Sequence, residues 1–380
     1  MIQIVDPKDC CGCTACASIC AHDAIKMGPD TLGFLFPKVD TTICVECGLC
    51  EQVCAFNDNY DIADNFQQPK VYGARHKNIG EVETSRSGAV FIAISDRILE
   101  SGGVVYGAGF SDHFRVVHKR AATKEERNEF KGSKYVQSDL VGVFRQIKKD
   151  LKDGLTVLFS GTPCQTAGLS SYLGKSLRNN LFLVDIICHG VPGPYLWRDY
   201  IRYLEKKQED EIVEVNFRDK QEFGWHAHHE TFRFKSDDKK KWFPNGFYKS
   251  IMFRQSCGNC HFCNTKRPSD ITIGDFWGWD KLNSNINIDK KGLNLLLINT
   301  DKGKDMFYSV QEKLNVIAVN SDIYMQPNLV APTRIHKKRN KFEQDYQNRG
   351  FEYVFTHEYD ERPLWRQVAS YIYQSFKKLV

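Results

Sequence analysis

Hydrophobic and polar residues follow a repeated pattern in the middle of the chain. Two largely apolar runs, 156–160 and 181–187, each end in a turn rich in glycine and proline, and a segment predicted to be a helix follows each turn. Short apolar runs of this kind are typical of strands that are buried on both faces. The repeated order of strand, turn and helix predicts a parallel sheet in an α/β domain, with both turns at the edge where such sheets bind ligands.

Weaker patterns predict the remaining elements. An amphipathic stretch at 89–100 predicts a helix that Ser85 or Ser87 would cap, and Thr123 opens a capping-box pattern. From residue 212 onward, alternating apolar and polar residues predict antiparallel strands. Strands are predicted at 104–108, 114–118, 211–219, 229–235 and 293–300, with a small hairpin around 28–33. One helix is predicted to end near residue 152, and further helices are predicted at 194–207 and at 363–380.

The first 56 residues carry a tandem cysteine pattern. The spacing C-x2-C-x2-C-x3-C occurs twice, which is the ligand run of a two-cluster bacterial-type ferredoxin. Three thiolates can wrap one iron–sulfur cube, and the fourth is carried too far along the chain, so it ligates the other cube. We therefore assign one 4Fe–4S cluster to Cys10, Cys13, Cys16 and Cys54, and the second to Cys44, Cys47, Cys50 and Cys20.

These first cysteines also allow a different interpretation. A disulfide or zinc scaffold is the alternative, but two tandem copies of the spacing favour iron–sulfur clusters. Cys11 lies inside the first run but off the ligand spacing, and we interpret it as a spare structural thiol near the cluster.

The pattern divides the chain into four segments and predicts an α+β fold. A ferredoxin domain occupies 1–56, and a polar stretch without helical or strand period, 57–70, is expected to be a linker. A larger mixed α/β domain is predicted over 71–335, followed by a helical C-terminal tail over 336–380.

Composition narrows the functional classes. The formal net charge is +5, and the short basic runs at 239–241 and 336–339 are typical of solvated faces, so we expect no nucleic-acid partner. No apolar run approaches the length of a membrane span, and no export signal is visible at the N-terminus. Most of the 14 cysteines have metal-cluster spacings, which favours a reducing, cytoplasmic location.

A second group of cysteines falls in the larger domain. It comprises Cys164, Cys188, Cys257, Cys260 and Cys263. The first two follow the two buried strands, where Gly/Pro turns expose backbone N–H groups that can bond to cluster sulfides. The last three have C-x2-C-x2-C spacing, so a third 4Fe–4S cluster is predicted. Zinc is the main alternative, and buried inert thiols are a second one for Cys164 and Cys188.

Several short motifs together resemble the beta-subunit family of coenzyme F-420 hydrogenases and dehydrogenases. They are SxSG at 85–88, KGSKYVQS at 131–138, GTPCQ at 161–165, CHGVP at 188–192, CxxC at 257–260 and DITIGDFWG at 270–278. The resemblance implies a flavoprotein that binds FAD and a further 4Fe–4S cluster. It also implies that Cys164, Cys188, Cys257 and Cys260 hold that cluster and that Cys263 is an extra. Spacing alone would have kept Cys263, so the choice among five thiols stays open.

The resemblance also points to flavin-binding residues, although no GxGxxG follows a strand. The candidates are Ser85, Ser87, Gly88, Lys131, Lys134, Ser138, Gly161, Thr162, Pro163, Gln165, Gly190 and Asp275. For the serines a simple helix cap is the alternative, and for the lysines a solvated side chain. His189 is the candidate proton donor, because imidazole titrates near neutrality; a core histidine is the alternative.

These predictions imply an iron–sulfur flavoprotein oxidoreductase. Single electrons would pass from the ferredoxin-type clusters through a third cluster to FAD, for hydride transfer with an organic substrate or deazaflavin carrier. The expected partners are a redox protein, either a ferredoxin or another subunit, and a small-molecule substrate. The alternatives are an electron-transfer subunit with no substrate site of its own and a non-enzymatic redox or iron sensor.

Overall fold

The computed structural model describes residues 1–359, apart from 57–64, 67, 244–246, 283 and 288. The predicted helix at 363–380 and most of the predicted linker therefore lie outside the described residues. The α-helices within them are α1 (Ala15–Ile19), α2 (Leu49–Gln52), α3 (Ile79–Thr84), α4 (Val90–Glu100), α5 (Lys124–Asn128), α6 (Val143–Lys152), α7 (Pro163–Leu173), α8 (Pro194–Gln208), α9 (Lys220–Phe223), α10 (Asp301–Val310) and α11 (Arg339–Thr356).

The strands form three sheets. They are β1 (Ile25–Pro29), β2 (Leu35–Val39), β3 (Lys70–His76), β4 (Val104–Phe110), β5 (Val116–Ala121), β6 (Val157–Gly161), β7 (Leu181–Ile186), β8 (Ile212–Asn216), β9 (Thr231–Phe234), β10 (Asp237–Trp242), β11 (Ile271–Asp275), β12 (Asn294–Ile298) and β13 (Leu314–Ala318). The mixture of helices with one large and two small sheets confirms the predicted α+β class.

The large sheet has eight strands in the order β13-β3-β12-β11-β7-β6-β4-β5. Its centre is parallel, since β6 pairs in parallel with both β4 and β7, and β7 pairs in parallel with β11. Both edges are antiparallel, so the prediction of a parallel sheet holds only for the centre. Among the antiparallel strands, β12 is buried throughout, and an apolar run of that kind has the same pattern in either direction, so the sequence does not reveal its reversal.

Two smaller antiparallel sheets match their predictions. The hairpin of β1 and β2 lies between the two cysteine runs, with Ile25 opposite Val39. The sheet β10-β9-β8 accounts for the alternating segments after residue 212. Its apolar face packs against α8 and α11, in a core that also takes in Leu32 and Phe34 from the N-terminal segment.

The predicted cap of α4 is wrong. Ala89 occupies the cap position in a left-handed conformation, and the backbone N–H of Val90 donates instead to Oδ1 of Asn294 on β12. Ser87 instead donates a hydrogen bond from Oγ to the carbonyl of Leu293, 2.8 Å away. Gly88 is wedged between two strands, because a Cβ there would lie 2.4 Å from the carbonyl oxygen of Ala74. The segment 85–88 is therefore held by the sheet rather than by the helix that follows it. The capping box at Thr123 is confirmed.

A buried arginine joins the N-terminal cysteine segment to the rest of the protein. Arg254 is 1% exposed. Its guanidinium donates to the carbonyl oxygens of Cys10 at 2.8 Å and Leu35 at 3.0 Å, and to Oε1 of Gln137 at 2.9 Å. Gln137 in turn donates to the carbonyl oxygen of Cys11. The hydrogen bonds of one side chain therefore orient the first cysteine run against the main domain.

We expect Arg254→Met to destabilise this docking strongly. It leaves buried acceptors on Cys10, Leu35 and Gln137 without their donor, which should cost roughly 2–4 kcal/mol. The matched control is Arg145→Met. Arg145 also donates to carbonyls of the first cysteine run, but its side chain is 45% exposed, so its loss should cost less than about 1 kcal/mol.

Anaerobic thermal unfolding of the purified protein measures both effects. An equal drop in melting temperature for the two variants would contradict the proposed importance of the buried arginine.

Candidate functional site

The eight ferredoxin-spaced cysteines form two separate sets. Burial, reinforced by the neighbouring thiols of Cys13, Cys10 and Cys54, raises the pKa of Cys16. The structure therefore places Cys54, from the second run, beside the first three cysteines of the first run. The other four cysteines share one cavity, which is lined by Cys20, Cys44, Cys47 and Cys50. This is the crossed arrangement that the spacing predicts, and Cys47 is the exposed member.

Left-handed turns position these thiols. Thr14 and Gly48, with φ angles of 69° and 75°, begin the short helices α1 and α2. The cysteine before each helix lies close to the cysteine inside it, as Cys13 does to Cys16 and Cys47 to Cys50. We call Cys10, Cys13, Cys16 and Cys54 the inner set and Cys20, Cys44, Cys47 and Cys50 the outer set. In the main core, Cys13 and Cys16 pack with Phe144 and Leu169, and Cys50 of the outer set belongs to the same core.

The second cysteine group converges on one cavity. Its lining includes all five predicted thiols, Cys164, Cys188, Cys257, Cys260 and Cys263. Adjacent parallel strands bring the first two together, because β6 and β7 end side by side and their turns share one edge of the sheet. The other three arrive on a loop that Arg254 fastens to the turn after β7, through a backbone hydrogen bond to Val191.

The donor chemistry of this cavity fits an iron–sulfur cluster. Burial raises the pKa of Cys188 well above its ordinary value and that of Cys257 to about 12. The backbone N–H groups of Gly190 and Val191 face these two sulfurs, as donors to cluster thiolates do. Loading a metal would therefore release protons from these thiols. Within the described ranges, no three His, Cys, Asp or Glu side chains are arranged to hold a single metal ion.

Cys11 also lines this cavity, although its place in the sequence predicts only a spare thiol. It is 6% exposed, and its thiol lies within hydrogen-bonding reach of both Cys13 and Cys164. The hydrogen bond from Cys11 lowers the pKa of Cys164 to about 7. Helix α7 also packs tightly against Cys13, because a Cβ on Gly168 would lie 2.6 Å from Sγ of Cys13. The thiol of Cys11 therefore links the ferredoxin-spaced cysteines to the cysteines of the cavity.

A buried hydrogen-bond network supports the turn at Cys164. Oε1 of Gln165 accepts from the backbone N–H of Thr162, and Nε2 of Gln165 donates to Oγ of Ser138. Ser138 bonds to Nδ1 of His118 at 2.8 Å, and Nε2 of His118 lies 3.0 Å from the carbonyl oxygen of Ser160. The sequence singled out Ser138, Thr162 and Gln165 but missed His118, which lies on β5 with no motif around it.

Other predicted flavin residues divide into two groups. Thr162, Pro163, Gln165, His189 and Gly190 line the thiol cavity. The lysines bond to protein groups instead. Lys131 pairs with Glu81 at 2.7 Å, and Lys134 donates to the carbonyls of Glu129 and Lys131. Burial lowers the pKa of Lys134 to about 7. Gly161 ends β6 outside the cavity lining.

Asp275 lies in a separate cluster of arginines and aromatic rings. It pairs with Arg218 at 2.8 Å and with Arg86 at 3.8 Å. The rings of Trp225 and Trp277 stack beside it, with centroids 5.0 Å apart. Of these residues the sequence singled out only Asp275. Arg86 lies inside the SxSG motif, which is the signal that could have identified it.

A comparison with models of known protein families gives a match for part of the chain. Residues 154–322 match the family model for the C terminus of the beta subunit of coenzyme F420 hydrogenase/dehydrogenase. Over that segment, this match confirms the family predicted from the motifs. The segment includes every thiol of the cavity except Cys11.

Similarity to other proteins is limited. A chain of the F420-reducing [NiFe] hydrogenase complex from Methanosarcina barkeri matches with 13% sequence identity and a TM-score of 0.44, over 75% of this chain and 91% of that chain. A comparison with curated proteins gives no match. In the part of the chain that the structure describes, no helix has the length and apolar character needed to cross a membrane.

We expect His118 to make the protein less stable in mild acid. Burial lowers its pKa to about 4, from an ordinary value of 6.5. As the pH falls from 7.5 to 5.5, the unfolded chain takes up a proton there and the folded chain does not. Unfolding should therefore become easier by roughly 1 kcal/mol. In His118→Asn that part of the pH dependence should disappear.

The matched control is His113→Asn, because His113 is exposed. Anaerobic unfolding at pH 7.5, 6.5 and 5.5 compares the two variants with the wild type. The interpretation fails if His118→Asn loses stability with acid as steeply as the control.

Proposed function

We propose that the protein is an iron–sulfur flavoprotein oxidoreductase. Single electrons would pass from two ferredoxin-type clusters through a third cluster to FAD, for hydride transfer with an unidentified organic substrate or deazaflavin carrier. One observation carries the proposal: Cys11 lies between Cys13 of the ferredoxin set and Cys164 of the cavity. The two thiol groups therefore face each other across a single side chain.

The burial of the thiols supports electron transfer from the surface of the protein inward. Cys47 of the outer set is exposed, whereas Cys13 and Cys16 of the inner set are buried. An exposed outer set suits docking of a redox partner, either a ferredoxin or another subunit. The buried thiols of Cys13 and Cys16 pack against residues of the larger domain, which keeps water away from that step of the proposed path. We also propose a cytoplasmic location, since thiols with these spacings need a reducing compartment.

His189 supports the proposal at the cavity wall. It follows Cys188 directly, and its ring lies 5.8 Å from the ring of Tyr248. Tyr248 donates to the carbonyl oxygen of Gly190, which keeps the turn closed around the cavity. Burial lowers the pKa of His189, which favours the neutral imidazole. In the proposed reaction it would accept a proton before it donates one.

A second candidate function is an electron-transfer subunit with no substrate site of its own. It is favoured by the contacts of the predicted flavin residues. Lys131 and Lys134 are bonded to protein groups, and the hydroxyl of Ser87 is bonded to Leu293. Such side chains would have to exchange partners before they could hold a flavin. The flavin content of the purified protein distinguishes the two functions.

Anaerobic purification with iron, sulfide and flavin quantification tests the cofactors. Three clusters and a flavin predict about twelve iron atoms and one FAD per chain. About twelve iron atoms without flavin would support the electron-transfer subunit. About eight iron atoms without flavin would contradict both the third cluster and the flavin.

Single cysteine replacements locate the third cluster. Cys188→Ser is expected to lose about four iron atoms per chain, because that thiol would be a ligand. The same replacement at Cys263 decides between the spacing, which includes it, and the family resemblance, which does not. Cys11→Ser is the matched control, since it removes a thiol from the same cavity. Iron analysis and EPR spectra should show that this control retains all its iron; a loss of four atoms would make Cys11 a ligand.

A further inference from the structure

The sulfur of Cys164 has two side-chain hydrogen-bond donors beside it. Oγ1 of Thr162 lies 3.2 Å from Sγ of Cys164, and the thiol of Cys11 is within hydrogen-bonding reach of the same sulfur. The sulfurs of Cys188 and Cys257 face backbone N–H groups instead. Negative charge on sulfur is therefore stabilised at Cys164 by side chains that a substitution can remove.

The backbone around Thr162 is fixed at its donor and at its acceptor. The N–H of Thr162 donates to Oε1 of Gln165 at 2.9 Å, and its carbonyl oxygen accepts from the N–H groups of Gln165 and Thr166, both at 3.0 Å. A threonine side chain is stiff at its first torsion, so the fixed backbone also fixes the hydroxyl. A sulfur that is bound to metal carries no proton, and the hydroxyl must then be the donor in this pair.

Cys11 is held in place in the same way and can also donate. Nε2 of Gln137 donates to the carbonyl oxygen of Cys11 at 2.9 Å, and the side chain is 6% exposed. Its thiol reaches Cys13 on one side and Cys164 on the other. If both neighbours are thiolate ligands, Cys11 is the member of this trio that still carries a hydrogen, so it donates to either sulfur.

Hydrogen bonds to a ligand sulfur change the ease of reduction of an iron–sulfur cluster. An added electron makes the cluster and its thiolates more negative, so a donor stabilises the reduced form more than the oxidised form and raises the reduction potential. The cavity is poorly solvated, which strengthens each such bond. Cys164 is also the cavity thiol that Cys11 connects to the inner set. The donors therefore lie on the side of the cavity that faces the ferredoxin-spaced cysteines.

We propose that the hydroxyl of Thr162 and the thiol of Cys11 donate hydrogen bonds to Sγ of Cys164 and so raise the reduction potential of the cluster held in this cavity. Both residues act through Cys164, which makes them positioning residues rather than ligands. The inference rests on the proposed function for the presence of that cluster. A raised potential there favours electron transfer from the inner set toward the larger domain.

Redox titration of the anaerobically purified protein, followed by EPR, tests the hydroxyl. Thr162→Val removes the hydroxyl and keeps the branched shape. The third cluster should become about tenfold harder to reduce, which is a fall of about 59 mV in its one-electron midpoint potential. Thr162→Ser keeps a hydroxyl, and its reduction equilibrium should stay within about twofold of the wild type.

Cys11→Ala tests the second donor. Because S–H is a weaker donor than O–H, the third cluster should become roughly threefold harder to reduce. Cys11 also reaches Cys13, so the potential of the inner cluster should fall in this variant but not in Thr162→Val. Both variants should keep about twelve iron atoms per chain, since neither residue would be a ligand.

The matched control is Thr166→Val, the same replacement one turn further along α7. Thr166 is fully buried, and its Oγ1 donates to the carbonyl oxygen of Pro163 at 2.9 Å. Its loss should lower the melting temperature but leave every midpoint potential unchanged. An equal fall in the potential of the third cluster in Thr166→Val and Thr162→Val would assign the effect to packing and overturn the inference.

Iron content separates failure of this inference from failure of the proposed function. A third cluster whose potential is unchanged in both Thr162→Val and Cys11→Ala overturns the inference alone, as does the loss of about four iron atoms in Thr162→Val. A wild-type protein with about eight iron atoms overturns both. A shifted potential in a protein with about twelve iron atoms and no flavin supports the inference and contradicts the flavin.

Discussion

The guanidinium of Arg254 connects the N-terminal cysteine segment to the domain that holds the thiol cavity. It donates to the backbone carbonyls of Cys10 and of Leu35 on β2 and to the side chain of Gln137 in the main domain, and it is almost entirely buried. Its own backbone also fastens the loop of Cys257 to the turn after β7. Because the same residue orients both thiol groups, their mutual contact through Cys11 depends on a buried charge whose donors are satisfied.

The parallel centre of the sheet explains why distant cysteines meet. Cys164 and Cys188 each follow a strand, and the strands are hydrogen-bonded neighbours that end at the same edge. The cavity between them is desolvated, which raises the pKa of Cys188 and Cys257 and makes metal loading at those two thiols a proton-releasing step. Helix α7, which begins beside Cys164, also packs against the first cysteine run. It approaches Cys13 so closely that only glycine fits at position 168.

The side chains in the predicted flavin motifs differ in whether they already have hydrogen-bond partners within the protein. Lys131, Lys134 and Ser87 have found partners within the protein, so their sequence motifs serve the fold as described. Arg86, in the same motif as Ser87, has donors left over. A motif therefore marks a segment of interest, but the hydrogen-bond inventory of the folded chain decides which of its side chains are available to a ligand.

The sequence by itself determined the features that depend on local spacing: the two tandem cysteine runs, the buried strands at 157–161 and 181–186, and the capping box at Thr123. These follow from contacts within a few residues or from a fixed ligand geometry. Only the tertiary structure decided the direction of the edge strands, the left-handed start of α4 at Ala89, and the roles of Cys11, His118 and Arg86. Each of these depends on partners far along the chain, and neither hydrophobic period nor motif spacing carries that information.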